Sequence, residues 1–257
     1  MDLKKYHKPF AHNADSEIGV LLVHGLTSTT SAMRGMAERF AEKGFNVELP
    51  PLAGHGTKWQ DLNKVTYHDW LDDLEKALSN LKERASKIFV FGLSLGGGLS
   101  LHLAGKHPEL AGIIAINNVC KFTSPVYWFV PLIRFITPSV KGVASDIKDP
   151  NEKEIAYSKT PTNSVYEMLK MMKEMRKMLP SIKMPVLVFK SKEDHVIPIQ
   201  SAKYTIDNLG SENKELIWLE NSYHVAPLDF DKNVIFEKSM DFIKSLENDS
   251  YAKLQSE

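Results

Sequence analysis

Short apolar runs recur along this chain, separated by longer stretches in which apolar and polar residues mix. Residues 18–23, 45–49, 87–91, 113–116, 186–189 and 215–219 are such runs, rich in Val, Ile, Leu and Phe. Runs this short and this apolar predict strands buried on both faces. Between them the spacing changes to that of a helix. Residues 31–43 carry Met33, Met36, Ala37 and Phe40 on one face, and Gly44 follows as a C-cap. Residues 67–83 repeat Trp70, Leu71, Leu74, Leu78 and Leu81, and further helices are expected over 200–208 and 231–246. Strands alternating with amphipathic helices predict an α/β fold, a mostly parallel central sheet flanked by helices. The first strand in this reading is 18–23, and the polar tail 248–257 is expected to fray.

Residues 119–180 break the alternation. They offer no convincing strand of the sheet, but they hold the aromatic run Val126-Tyr127-Trp128-Phe129-Val130 and a helix carrying Met168, Met171, Met172, Met175 and Met178. The stretch is too apolar for a disordered linker and too long for a simple loop. It reads as an inserted cap, or lid, on a core made of 1–118 and 181–257. The longest apolar stretch, 126–136, is too short to span a bilayer and contains Pro131 and Arg134.

Charge and cysteine content narrow the partners. Lys+Arg and Asp+Glu stand at 32 each, so nothing electrostatic favours nucleic acid or an anionic membrane as the main partner. The single cysteine, Cys120, excludes an intramolecular disulfide and a cysteine zinc cluster. The first residues lack the apolar core of a signal peptide, so the expected setting is cytoplasmic.

The chemistry centres on Gly92-Leu93-Ser94-Leu95-Gly96, a G-x-S-x-G pattern between a predicted strand and a helix that ends before Pro108. A serine squeezed into such a turn presents its hydroxyl clear of the backbone. The same glycines fit neither a P-loop, which needs Gly-Lys-Ser/Thr, nor a dinucleotide fingerprint, since position 101 is leucine. A serine hydroxyl needs a base and a group that orients the base, in the chain order nucleophile, acid, histidine. Of nine histidines only His195 and His224 lie beyond the penultimate strand, and His224 follows the last one. Glu193 and Asp194 follow the strand before it. Asp194 is preferred because it falls where the loop turns into Val196-Ile197-Pro198. His195, His24 and His55 are read as structural. The N–H groups of Leu95 and Leu26 are the expected donors to a developing oxyanion.

Val23-His24-Gly25-Leu26-Thr27, Leu52-Ala53-Gly54-His55-Gly56, the serine pentapeptide, Glu193-Asp194-His195-Val196-Ile197-Pro198 and Asn221-Ser222-Tyr223-His224 together resemble serine α/β-hydrolases. With Ser145-Asp146-Ile147-Lys148 and Lys153-Glu154-Ile155-Ala156-Tyr157, the chain is most similar to the bacterial monoacylglycerol lipase and carboxylesterase group. The resemblance implies an ester hydrolase working through an acyl-enzyme on Ser94, with no metal and no organic cofactor. The implied substrate is a small acyl ester such as a monoacylglycerol. The alternatives are a carboxylesterase for aryl or cinnamoyl esters and a non-catalytic binding protein. Ile147, Trp128 and neighbouring Tyr127 and Phe129 are expected to line an acyl tunnel, and Glu154 or Asp146 to meet a glycerol head. The cap could also touch a lipid surface transiently.

Overall fold

The computed structural model describes residues 3–142 and 145–254. In chain order the elements begin with β1 (Phe10–His12), β2 (Ile18–Val23), α1 (Ser31–Glu42), β3 (Asn46–Leu49), α2 (Trp59–Leu62) and α3 (Tyr67–Lys82). Then come β4 (Lys87–Leu93), α4 (Leu95–Lys106), β5 (Gly112–Ile116), α5 (Val126–Ile136), β6 (Ser139–Lys141), β7 (Lys159–Pro161) and α6 (Thr162–Met178). The chain closes with β8 (Val186–Ser191), α7 (Ile199–Asn208), β9 (Lys214–Leu219) and α8 (Lys232–Leu254).

Seven strands form one sheet in the order β1-β3-β2-β4-β5-β8-β9, all parallel except the edge pair β1–β3. Side chains alternate between two apolar layers, as strand geometry requires. Leu21, Val23, Ile88 and Val90 face α3, α4 and α6, where Trp70, Leu74 and Met171 are fully buried. Val20, Leu22, Phe89 and Phe91 face α1 and α8, against Phe40, Met36, Ile235 and Phe236. Burial on both faces explains why the strands read as continuous apolar runs rather than alternating ones.

Among its described residues the β5–β8 connection contributes no strand to this sheet. It holds α5, the two-stranded antiparallel ribbon β6–β7, and α6. Met168, Met171, Met172 and Met175 of α6 are buried in the core layer that also contains Leu99 and Leu103 of α4. The aromatic run lies in α5, which keeps one face on the protein and leaves Trp128, Leu132, Phe135 and Ile136 exposed.

Three features correct the expectations. A strand, β1, precedes residue 18; it is three residues long, and its partner β3 supplies the hydrogen bonds that its own hydrophobicity does not announce. β8 runs on through Lys190 and Ser191, both fully buried. α8 continues to Leu254 instead of fraying from residue 248, and 255–257 lie outside the described residues. Among the described residues no helix is long and apolar enough to cross a membrane.

Candidate active site

Ser94 sits alone between the last residue of β4 and the first of α4, with φ 57° and ψ −114°. A β-carbon residue in this region is strained and is held only by its surroundings. Here the Ser94 N–H donates to Ile116 O at 2.9 Å, and Ser94 O accepts from Gly98 N and Val119 N at 3.1 Å each. The flanking glycines answer to space, not to φ. A β-carbon at Gly92 would lie 2.4 Å from Gly96 O, and one at Gly96 would lie 2.2 Å from Val23 O. Only hydrogen lets strand and helix approach this closely. The serine opens into a cavity of about 310 Å³ that His224 also lines.

The β8–α7 turn brings Asp194 beneath the histidine loop. Its Oδ1 accepts the Val196 and Ile197 N–H groups at 2.9 Å each, and His224 Nδ1 donates to Oδ2 at 3.1 Å. The Lys190 ammonium reaches the same Oδ2. Burial alone would raise the Asp194 pKa; the His224 ring, the Lys190 charge and their hydrogen bonds outweigh it and hold the carboxyl well below its ordinary range. An ionised Asp194 requires the proton on His224 Nδ1, which leaves Nε2 as the lone-pair nitrogen.

Two N–H groups complete the chemistry. Leu95 is the first residue of α4, so its N–H has no intrahelical acceptor. Leu26, in the loop after β2, lines the cavity beside Ser94, and Thr27 turns that loop at φ 64°. The arrangement can therefore generate a nucleophile, accept its proton and hold an oxyanion.

Behind the Leu26 loop three imidazoles cluster, His24 and His55 buried and His7 half-buried, with His24 edge to face against the other two. His24 lies 5.2 Å from His7 and 4.9 Å from His55, centroid to centroid. His24 Nδ1 donates to Gly25 O at 3.0 Å while its Nε2 accepts the Leu52 N–H at 3.3 Å, which fixes a neutral ring. His24 and His55 thus support the loop, as the sequence suggests. Burial lowers the pKa of His7 to about 4 and of His55 to about 3; burial, then the neighbouring rings, takes His24 well below its ordinary value. In the unfolded chain such rings titrate near 6.5. Unfolding therefore takes up protons between about pH 6.5 and 4, and stability present above that window is lost as pH falls through it, by up to about 1.4 kcal/mol per unit per ring. Urea midpoints should drop steeply from pH 6.5 to 4, and less steeply in His55→Asn. An unchanged slope in that variant would show that His55 is not held neutral.

The inserted segment is stitched to the histidine loop by two carboxylates. Asp146 Oδ2 accepts the N–H groups of His224 (3.1 Å) and His195 (3.2 Å), and Oδ1 accepts from the His195 ring at 2.8 Å. Asp229 accepts the N–H groups of Lys148, Asp149 and Tyr223. Asp146, expected to meet a glycerol head, is thus engaged by the His195 ring and by two backbone N–H groups, and it does not line the cavity. Ile147 is corrected too: it packs against the core layer of Val225 and Ile235 and does not line the cavity. Trp128 points away, 83% exposed, while its neighbours Val126, Tyr127, Val130 and Ile133 line the cavity. Glu154 does line it, its Oε2 accepting the Ser145 N–H at 3.1 Å. The reading of the sequence missed Lys190 and Asn117, the buried polar pair under the acid. A lysine ending an apolar run, four residues before an aspartate, is the only trace they leave.

Serine between strand and helix, followed by acid and histidine on later loops, is a constellation that comparison with known proteins can place. The model of the serine aminopeptidase S33 family (Hydrolase_4) matches residues 15–231. The chain belongs to this family. Within reach of it, the chain is 41% identical to the thermostable monoacylglycerol lipase of Bacillus sp. (strain H-257), over 91% of this chain and 93% of that protein. It is 26% identical to a carboxylesterase of Bacillus subtilis (strain 168), over 93% and 97%. A solved structure from work on the metagenome-derived lipolytic enzymes LipS and LipT superposes with a TM-score of 0.90 at 39% identity, covering 93% of this chain and 98% of that one. The fold of this family member is the α/β-hydrolase fold.

Proposed function

We propose that this family member is a serine ester hydrolase for short and medium acyl esters, monoacylglycerols foremost. The observation that carries the reading is the pairing of Ser94 and the His224–Asp194 couple with a largely apolar cavity under the inserted segment. Ser94 Oγ attacks the ester carbonyl as His224 Nε2 takes its proton. The N–H groups of Leu26 and Leu95 hold the oxyanion, each such donor being worth about 3 kcal/mol in the transition state. Collapse expels the alcohol, which takes the proton from His224, and water then repeats the sequence on the acyl-enzyme. Asp194 holds the ring in its tautomer and balances the imidazolium.

Residues 119–180 act in this reading as the cap. Val126, Tyr127, Val130, Ile133, Val165 and Met168 provide the surface for an acyl chain. Glu154 offers its second carboxylate oxygen to the alcohol. The outer face of α5, with Trp128, Leu132, Phe135 and Ile136 exposed, is the part suited to brief contact with a lipid surface. The names of the relatives support an acyl ester substrate.

The test is kcat/KM across acyl lengths and across mono-, di- and triacylglycerols. Burial of each methylene is worth about 0.8 kcal/mol, so kcat/KM should rise about fourfold per methylene until the cavity ends. Triacylglycerol should be turned over poorly, because one roofed cavity admits one chain. Equal turnover of triolein and monoolein would leave a general esterase in place of a monoacylglycerol lipase.

A further inference from the structure

Lys190 has no place in the reaction as drawn, yet its side chain is wholly buried, 0% exposed against 1% for Asp194. It shares its strand face with Val186 and Val188, where an apolar residue would continue the row. Burying an ammonium there is costly unless every N–H is satisfied. All three are: the ammonium donates to Asp194 Oδ2, to Ile197 O at 2.7 Å and to Asn117 Oδ1 at 3.4 Å. Asn117 is itself held at φ 45°, and its Nδ2 donates to His224 O at 2.8 Å. The lysine therefore touches the acid directly and the histidine backbone through one side chain.

The oxygen that Lys190 holds is the oxygen that receives the His224 Nδ1–H. We propose that Lys190 is a positioning residue that sets the basicity of His224: its fixed positive charge on the shared oxygen disfavours the imidazolium and keeps the ring a free base at lower pH. The inference rests on the reading of Ser94, His224 and Asp194 given above. A lone carboxylate beside an imidazole favours the charged ring, which is a poor resting state for a general base. The lysine offsets that charge while leaving the carboxylate in place to orient the ring.

Other charged groups face the pair, Glu154 and Lys141 among them across the cavity that His224 lines. Asp146 comes from the inserted segment, with its carboxylate on the His224 and His195 N–H groups, and the exposed His195 ring sits against it. Asp229 holds the Tyr223 N–H, and Glu193 pairs with Lys148 at the surface. None of these reaches Asp194 Oδ2. Burial lowers the Lys190 pKa, and the adjoining Asp194 works against that by holding the ammonium charged.

Lys190→Met and Lys190→Gln test the proposal. In both, the acid limb of the kcat/KM profile should move to higher pH by about one to two units, with activity recovering above the limb. The His224 ring resonance, titrated by NMR in a Ser94→Ala background, should move in the same direction. The Gln variant keeps a hydrogen bond to Asp194 without a charge, so it reads the charge alone and stands in if the Met variant does not fold. A lysine that only fills space would lower kcat or the melting temperature at every pH and leave the limb and the resonance where they are. That result overturns the proposal. The NMR titration needs no turnover, so a failure of ester hydrolysis in the unsubstituted protein, which would sink the function, is a separate result.

Discussion

Ser94→Ala loses ester turnover by about a million-fold, as expected when the one nucleophile of an acyl-transfer site is removed. The change deletes a single oxygen. The backbone bonds of residue 94, to Ile116 and from Gly98 and Val119, do not involve the hydroxyl and persist. The melting temperature should therefore hold. Ser94→Gly should be equally dead but more stable by about 1 kcal/mol, because glycine relieves the strain of φ 57°, ψ −114°. Assays with p-nitrophenyl esters, labelling by a fluorophosphonate and thermal unfolding measure the three quantities. Turnover within a hundredfold of the unsubstituted protein would mean that another group is the nucleophile. Cys120 is a poor rival: it is buried, and burial pushes its thiol pKa up.

Asp194→Asn should fail twice over. An amide in place of the carboxylate leaves His224 without its charge partner and free to adopt the wrong tautomer, a loss of about ten-thousandfold in kcat. It also strips Lys190 of its counter-ion in a site from which water is excluded, a defect that costs about 3–5 kcal/mol. Urea unfolding should show this second loss, and Lys190→Met in the same chain should recover most of it without restoring kcat. An Asp194→Asn protein as stable as the original would show that the ammonium does not depend on Asp194. The stabilisation by Asp194 is itself pH-dependent. Its pKa is depressed on folding, so the contribution is full above the ordinary aspartate range near 4 and is lost progressively as pH falls from there through the lower, folded value.

What the sequence makes legible follows from what local chemistry constrains. The serine turn, the order of acid and base, and the doubly buried strands all rest on a few residues close together in the chain. The inserted segment does not. In α5 every position but Arg134 is apolar, so polar residues do not mark which of its faces looks outward. Val126, Val130 and Ile133 follow helical spacing into the cavity, while Trp128, Leu132 and Phe135 follow the same spacing outward. Trp128, the largest side chain of the aromatic run, lies on the outward face. Ile147 and Asp146 mislead differently: their partners, the core layer and the His224 loop, lie far away in sequence. Lys190 is hidden by the ordinary expectation that a lysine at a strand end is solvated.

The two carboxylate stitches have a consequence for recombining this protein with its relatives. Residues 145–149 belong to the insertion by position in the chain but to the histidine loop by hydrogen bonding. A chimaera that exchanged 119–180 whole would import a foreign anchor for the His224 loop along with a foreign wall of the cavity. The exchangeable module is smaller. A swap limited to the α5 stretch, 121–137, leaves Asp146 opposite His224 and Asp229 opposite Lys148. Such a graft should carry over the donor's acyl-length preference without carrying over its pH dependence.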